Sequence, residues 1–96
     1  MYRLCRETEY DAESLKVERG TLADILLTLE EAIAIDPFQF PLFKGYASVR
    51  LARGKTYVNQ KGNLIPPMRI IFKVIDGDSV SLLYLRRYGF FEEDPV

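Results

Sequence analysis

The sequence predicts an α+β domain in which helices pack on one face of a small antiparallel sheet of three to four strands. Residues 21–36 place apolar side chains at helical spacing. Residues 69–75 and 79–85 instead alternate along an expected hairpin around an Asp-Gly-Asp turn. The chain has 96 residues, of which 48% are apolar, so we expect one domain spanning 1–96 around a single core.

The N-terminal half predicts a strand followed by two helices. Residues 2–6 alternate weakly, as in a short strand, and Asp11 is expected to cap a short helix running toward Arg19. Thr21 is the expected N-cap of a longer helix, which ends before Pro37 because the residue before a proline avoids helical geometry. The apolar stripe of this helix comprises Leu22, Ile25, Leu26, Leu29, Ala32 and Ile33. Together the two helices predict an antiparallel hairpin whose apolar side covers the sheet.

The C-terminal half predicts the strands of the sheet. Prolines break residues 37–43 into a packed connector, and residues 46–51 then alternate as a strand. Residues 54–67 contain Asn, Gly and a Pro-Pro pair, which indicate a long loop or an irregular hairpin. The clearest strands are 69–75 and 79–85, separated by a tight turn.

Alternation along the last hairpin predicts one apolar face and one basic face. The expected core face holds Ile70, Phe72, Val74, Ser81, Leu83 and Leu85. The other face holds Arg69, Ile71, Lys73, Val80, Leu82, Tyr84 and Arg86. A two-residue loop at Asp76-Gly77 sets Arg69 opposite Tyr84, whereas a loop at Gly77-Asp78 sets it opposite Arg86. Both registers place the two arginines on the same face.

Charge is separated along the chain. Residues 44–87 carry nine cations and two acids, a net charge of +7, whereas residues 1–43 carry a net charge of −5 and the tail 92–94 adds −3. A basic surface on a rigid sheet favours a polyanion or an acidic partner, and arginine matches phosphate with two parallel hydrogen bonds. Two neighbouring arginines on one sheet face also repel, which an anion between them would compensate. The alternative is that these cations only decorate solvated strand faces.

Cysteine and histidine counts exclude several chemistries. Cys5 is the single cysteine and there is no histidine, so disulfides, Cys-pair zinc sites and Ser-His or Cys-His nucleophilic machinery are excluded. We expect no cofactor and no metal, and we expect Cys5 to be a small hydrophobe in a buried strand. Because the sequence shows neither a signal-peptide core nor a membrane-spanning run, we expect a cytoplasmic protein with no membrane partner.

Five short motifs follow one another along the chain: Asp36-Pro37, Phe43-Lys44-Gly45-Tyr46, Arg50-Leu51-Ala52-Arg53-Gly54, Arg69-Ile70-Ile71-Phe72 and Arg86-Arg87-Tyr88. In this order they resemble the RelE/ParE toxin superfamily of prokaryotic toxin–antitoxin pairs, and the resemblance extends from about residue 10 to residue 88. The resemblance implies a small antiparallel sheet with helices on one side. It also implies a metal-independent endoribonuclease that cleaves translated mRNA and so inhibits translation.

The resemblance also implies which residues act. The catalytic residues would be Arg69, Arg86, Arg87 and Tyr88, with the arginines stabilising the phosphate and the tyrosine assisting proton transfer. The RNA-binding residues would be Lys44, Arg50, Arg53, Lys73 and Tyr84. The implied partners are a cognate antitoxin protein and mRNA on the ribosome, and the resemblance allows a homodimer.

A second interpretation stays open. The chain has a sequence pI near 5.4 and an acidic tail, and it lacks a histidine that some family ribonucleases use. These features are compatible with a non-catalytic protein-binding module of the same fold, either gyrase-directed or an inactive relative. In that case the basic face would bind an acidic partner.

Overall fold

The computed structural model describes residues 1–17, 21–54, 57–58, 61–62, 64–65 and 67–87. The elements are β1 (Arg3–Arg6), α1 (Thr8–Ser14), α2 (Thr21–Ile35), β2 (Val49–Arg53), β3 (Tyr57–Val58), β4 (Leu64–Ile65), β5 (Met68–Val74) and β6 (Ser79–Arg87). A 3-10 turn at Pro37–Gln39 joins α2 to the connector before β2. Among the described residues, neither helix has the length and apolar run that crossing a bilayer requires.

The helices begin at different residues from those predicted. Glu7 occupies the N-cap position of α1, and its backbone N–H donates to the Leu82 carbonyl at 3.0 Å, so β1 leads into α1 with one residue between them. The prediction that Asp11 caps this helix is therefore wrong. Thr21 is the first residue of α2 rather than its cap. The expected end of α2 is confirmed at Ile35, after which the Asp36 carboxylate accepts from the Phe38 N–H at 3.1 Å.

The four-stranded sheet has the order β1-β6-β5-β2, and it is mixed rather than antiparallel. β5 pairs antiparallel with both β6 and β2, but β1 pairs parallel with β6. A parallel pair requires a crossover connection, which α1, α2 and the intervening strands provide between β1 and β6. β3 and β4 form a separate antiparallel pair, within the stretch where a loop or an irregular hairpin was expected.

The β5–β6 hairpin differs from both predicted registers near its turn. The Ile75 N–H donates to the Ser79 carbonyl at 2.9 Å, so the loop has three residues, 76–78, rather than two. Pairing then runs to Phe72 opposite Leu82, a β-bulge follows at Leu83, and the ladder resumes with Ile71 opposite Tyr84. Because a three-residue loop reverses the alternation, Val80 and Leu82 lie on the core face in place of Ser81 and Leu83. The predicted faces of these four residues are therefore wrong.

The core lies between the helices and one face of the sheet. Its buried cluster comprises Tyr10, Leu26, Leu29, Ile33, Ala52, Met68, Ile70, Phe72, Val80, Leu82 and Leu85, with Ile25 and Val74 packed against it. Phe72 is fully buried while its neighbour Lys73 is exposed, which confirms the predicted orientation of β5. The ring of Phe40 packs edge-on against Phe72 with centroids 5.9 Å apart. Below, the sheet surface away from the helices is called the open face.

Candidate nucleic-acid interface

Three arginines lie side by side across the open face. Arg53 of β2 is the cross-strand partner of Arg69 of β5, which is itself the partner of Arg86 of β6. Directly paired residues in antiparallel strands have Cα atoms about 4.5–5.5 Å apart, so these three arginines leave the same face at adjacent positions of neighbouring strands. We call Arg53, Arg69 and Arg86 the arginine row. Of the two registers that the sequence allowed, the one that pairs Arg69 with Arg86 is confirmed.

Aromatic contact and partial burial hold two members of the arginine row. The Arg86 guanidinium lies over the ring of Tyr84, 5.1 Å from its centroid, which offsets part of the repulsion from Arg69. Arg69 is half-buried, and its Nη1 atom has almost no exposed surface. A guanidinium that is already positioned loses less freedom on binding an anion than one on a fully solvated side chain.

The open face continues beyond the arginine row. Lys73 lies two residues after Arg69 on β5 and is exposed, so it extends the basic strip along the same side of the strand. Between them, Leu51 and Ile71 are paired with each other and are 5% and 7% exposed. The apolar side chains between the cations are therefore buried. The exposed residues of this face include Arg53, Lys73, Tyr84 and Arg86.

Arg50 is directed to the other side of the sheet. It pairs with the buried Phe72, its Nη1 donates to the Phe40 carbonyl at 2.6 Å, and its guanidinium lies 5.1 Å from the centroid of the Phe38 ring. The predicted RNA-binding set therefore divides between two faces, with Arg53 and Lys73 on the open face and Arg50 against the connector. These contacts give Arg50 a structural explanation without any ligand.

The remaining predicted residues lie at the margins of the described structure. Lys44 is exposed in the turn before β2, where the Tyr46 N–H donates to the Phe43 carbonyl at 3.0 Å. Arg87 ends β6 opposite Met68, and its side chain is outside the described residues. Tyr88, the predicted proton-transfer residue, also lies outside them. Tyr84 is thus the tyrosine that the described structure places beside the arginine row.

A surface cleft lies along the contact between α1 and the outer edge of β6. β1 pairs with β6 only as far as Leu82, and α1 packs along β6. Two cavities of about 300 and 260 Å³ meet at Tyr84, and we call them together the edge cleft. Their lining residues are Glu7, Thr8, Glu9, Ala12, Glu13, Leu83, Tyr84, Leu85 and Arg86, and Glu9 borders both cavities. No local sequence signal predicts this cleft, because it depends on non-local packing of α1 against β6.

An apolar groove lies on the other side of the molecule. It has a volume of about 440 Å³ and runs between α2, the connector and the end of β2, with Ile25, Leu29 and Phe40 among its lining residues. Arg53 is the cross-strand partner of Arg69, and it also borders this groove. The groove can accommodate apolar side chains of a ligand or a protein partner.

A buried polar network joins β1, α1 and α2. Glu30 is 5% exposed, and its carboxylate accepts from Arg6 Nη2 at 2.6 Å and from the Tyr10 hydroxyl at 2.5 Å. Burial, followed by the hydrogen bond to Glu30, raises the pKa of Tyr10 well above its ordinary value. The sequence signal for this network is a glutamate one turn after Leu26, at the border of an otherwise apolar stripe.

Among the described residues, no group of three Cys, Asp or Glu side chains could hold a metal ion. Comparison with protein-family models and with curated proteins finds no match to this chain. The observations that point to a function are therefore the positions of the chain's own residues and the motif resemblance.

Proposed function

We propose that this chain is a toxin-like component of a toxin–antitoxin pair that acts as a metal-independent endoribonuclease on translated mRNA in the cytoplasm. The observation that carries the proposal is the arginine row, which aligns Arg53, Arg69 and Arg86 across three adjacent strands. The order of motifs that resembles the RelE/ParE superfamily supports the choice of RNA over other polyanions. A cognate antitoxin is the proposed protein partner, and the apolar groove beside α2 offers it a surface.

The proposed chemistry follows from where charge develops. When the ribose 2′-hydroxyl attacks the adjacent phosphate, the phosphate gains negative charge in the transition state, and fixed cations are effective stabilisers of such charge. In this proposal Arg69 and Arg86, which are cross-strand partners, contact two phosphate oxygens, and Arg53 acts from the neighbouring strand. Tyr84 is the described candidate for proton transfer beside them, and Tyr88 is the candidate implied by the resemblance.

The test is induced expression in a bacterial host followed by mapping of transcript ends. We expect arrested growth and new ends within translated regions for the parent chain, and neither for Arg69→Ala. The matched control is Lys16→Ala, which removes one exposed cation from the helical side of the molecule and should behave as the parent does. A parent chain that leaves transcripts intact would contradict the ribonuclease proposal.

The second candidate function is a non-catalytic protein-binding module. The apolar groove of about 440 Å³ favours it, because an RNA ligand would not need such a surface. The same expression experiment separates the two candidates. Intact transcripts with DNA damage would point to a gyrase-directed module, and unchanged growth would point to an inactive relative.

A further inference from the structure

We propose that the edge cleft is a nucleobase subsite, in which a guanine stacks on Tyr84 and donates hydrogen bonds to the carboxylate of Glu9. The inference rests on the proposed function, because it assigns base recognition to the RNA whose phosphate the arginine row binds. It also predicts which RNA sequences the protein prefers.

The position of the cleft matches the dimensions of a nucleotide. Tyr84 and Arg86 are two residues apart on β6 and lie on the same face, so their Cα atoms are about 6.7 Å apart. That separation is similar to the distance between a phosphate and the base of the same nucleotide. A phosphate bound at the arginine row therefore places its base at Tyr84.

The ring of Tyr84 can stack a base on the side away from Arg86. The residue is 36% exposed, and the guanidinium of Arg86 lies over its ring. The cavity bordered by Leu83, Thr8 and Glu9 adjoins Tyr84, and its volume of about 300 Å³ is sufficient for a single base. Bases of single-stranded RNA bind in this way, by stacking on exposed aromatic rings.

The acidic lining selects among the bases. An ionised carboxylate only accepts hydrogen bonds, and guanine presents an imino N–H and an amino group side by side on its Watson–Crick edge. Uracil presents one imino N–H there between two carbonyl oxygens, which a carboxylate repels. Of the three carboxylates that line the cleft, Glu7 accepts from the Ser81 hydroxyl at 2.5 Å and Glu13 pairs with Lys16 at 3.2 Å. We therefore assign the role to Glu9, which borders both cavities. The same negative charge keeps phosphates out of the cleft and on the arginine row.

The test compares four RNAs about nine nucleotides long, in which every base is uracil except the central one, which is guanine, adenine, cytosine or uracil. All riboses are 2′-O-methylated, so that the RNA is not cleaved, and dissociation constants are measured by fluorescence anisotropy. We expect the parent to bind the guanine oligonucleotide about ten-fold more tightly than the uracil one, because guanine donates two hydrogen bonds to a charged acceptor. Glu9→Gln should reduce this ratio to near one. Glu31→Gln, which removes the same charge from an exposed position on α2, should leave the ratio unchanged.

Inorganic polyphosphate, which has no bases, separates the failure of this inference from the failure of the proposed function. A parent that binds polyphosphate and all four oligonucleotides equally would overturn the base subsite while leaving the arginine row intact. A parent that binds neither polyphosphate nor RNA would overturn both. A cleft that instead binds a lysine-rich peptide, with the guanine preference absent, would overturn the subsite in favour of a protein contact.

Discussion

The arginines of the sheet have different roles, because residues an odd number of positions apart on a strand point to opposite faces. Arg50 and Arg53 are three residues apart on β2, so their side chains leave opposite faces. Arg50 is held by the Phe40 carbonyl and the Phe38 ring, whereas Arg53 joins the arginine row. A count of cations in the sequence gives both the same weight, and only the pairing of β2 with β5 separates them.

This difference predicts opposite effects of two alanine substitutions. Arg50→Ala should lower the free energy of unfolding by about 1–3 kcal/mol, because it removes a charged hydrogen bond and a cation–π contact. Arg53→Ala should change that free energy by only about 0.5 kcal/mol and should weaken RNA binding more than Arg50→Ala does. Denaturant unfolding and RNA titration of both variants provide the measurement. Equal stability losses for the two variants would contradict the assignment.

The buried network around Glu30 predicts a pH dependence of stability. Tyr10→Phe removes the hydroxyl that donates to Glu30 and should cost about 1.5–3 kcal/mol at neutral pH. In the unfolded chain a tyrosine ionises near pH 10, whereas burial keeps folded Tyr10 protonated at higher pH because its pKa is raised. The contribution of the hydroxyl is therefore fully present below about pH 10 and is lost as the pH rises further.

The measurement is denaturant unfolding of the parent and Tyr10→Phe between pH 7 and pH 11. We expect the two stability curves to converge above about pH 10, because only the parent loses the contribution of this hydroxyl. A constant difference across the whole range would show that Tyr10 does not titrate between the folded and unfolded states as described.

Among the elements, β6 shows most clearly how a turn sets the chemistry of a face. The three-residue loop 76–78 reverses the expected alternation, and the bulge at Leu83 reverses it again. Val80 and Leu82 consequently pack in the core, while Tyr84 and Arg86 remain on the open face. Without the bulge, a strand of this length would carry either its core residues or its arginine on the wrong side.

The three-residue loop predicts unequal costs for truncating neighbouring leucines. Leu82 is fully buried and Leu83 is half-buried, so Leu82→Ala should cost about 2–5 kcal/mol and Leu83→Ala clearly less. Strict alternation from Ile70 and Phe72 with a two-residue loop predicts the reverse order. Thermal and denaturant unfolding of the two variants decide between these registers, and a larger loss for Leu83→Ala would contradict the three-residue loop.

The elements that the sequence predicts well are those with local signals. The stripe of α2, its end before Pro37 and the buried side of β5 all follow from spacing within a few residues. The parallel pairing of β1 with β6 and the position of Arg53 depend on contacts between distant segments, which periodicity does not encode. The candidate site divides in the same way, because Arg69 and Arg86 share a local hairpin, whereas the edge cleft needs α1 beside β6.

At the scale of the whole molecule, the acidic and basic halves of the sequence occupy different surfaces, which meet at the edge cleft, where Glu9 and Glu13 line the same cavity as Arg86. The helices carry most of the N-terminal acids, while the open face carries the arginine row and Lys73. The acidic tail 92–94 lies outside the described residues. We predict that its charges partly shield the arginine row.

Removing the tail charges should therefore strengthen RNA binding. Replacing Glu92 and Glu93 with Gln and Asp94 with Asn changes the net charge from −1 to +2. We expect tighter binding at low salt and a steeper dependence of the binding constant on salt concentration, because fewer internal acids compete with phosphate. The control replaces Asp11, Asp24 and Glu31 in the same manner, since these exposed acids lie on the helices and do not line the edge cleft. An equal effect from that control would show that only net charge matters.

The arginine row is the central claim, and the rate of RNA cleavage by Arg69→Ala and Arg86→Ala tests it most directly. Arg86 is exposed, so Arg86→Ala should unfold at nearly the parent temperature, because changes at exposed positions shift stability by only about 0.5 kcal/mol. Arg69 is half-buried, so both variants are compared with the parent at a temperature at which each is folded. Cleavage of a defined translated message should nevertheless fall about 100-fold or more for each variant, the scale of removing one fixed charge stabiliser. Variants that remain folded and cleave that message as fast as the parent would contradict the account.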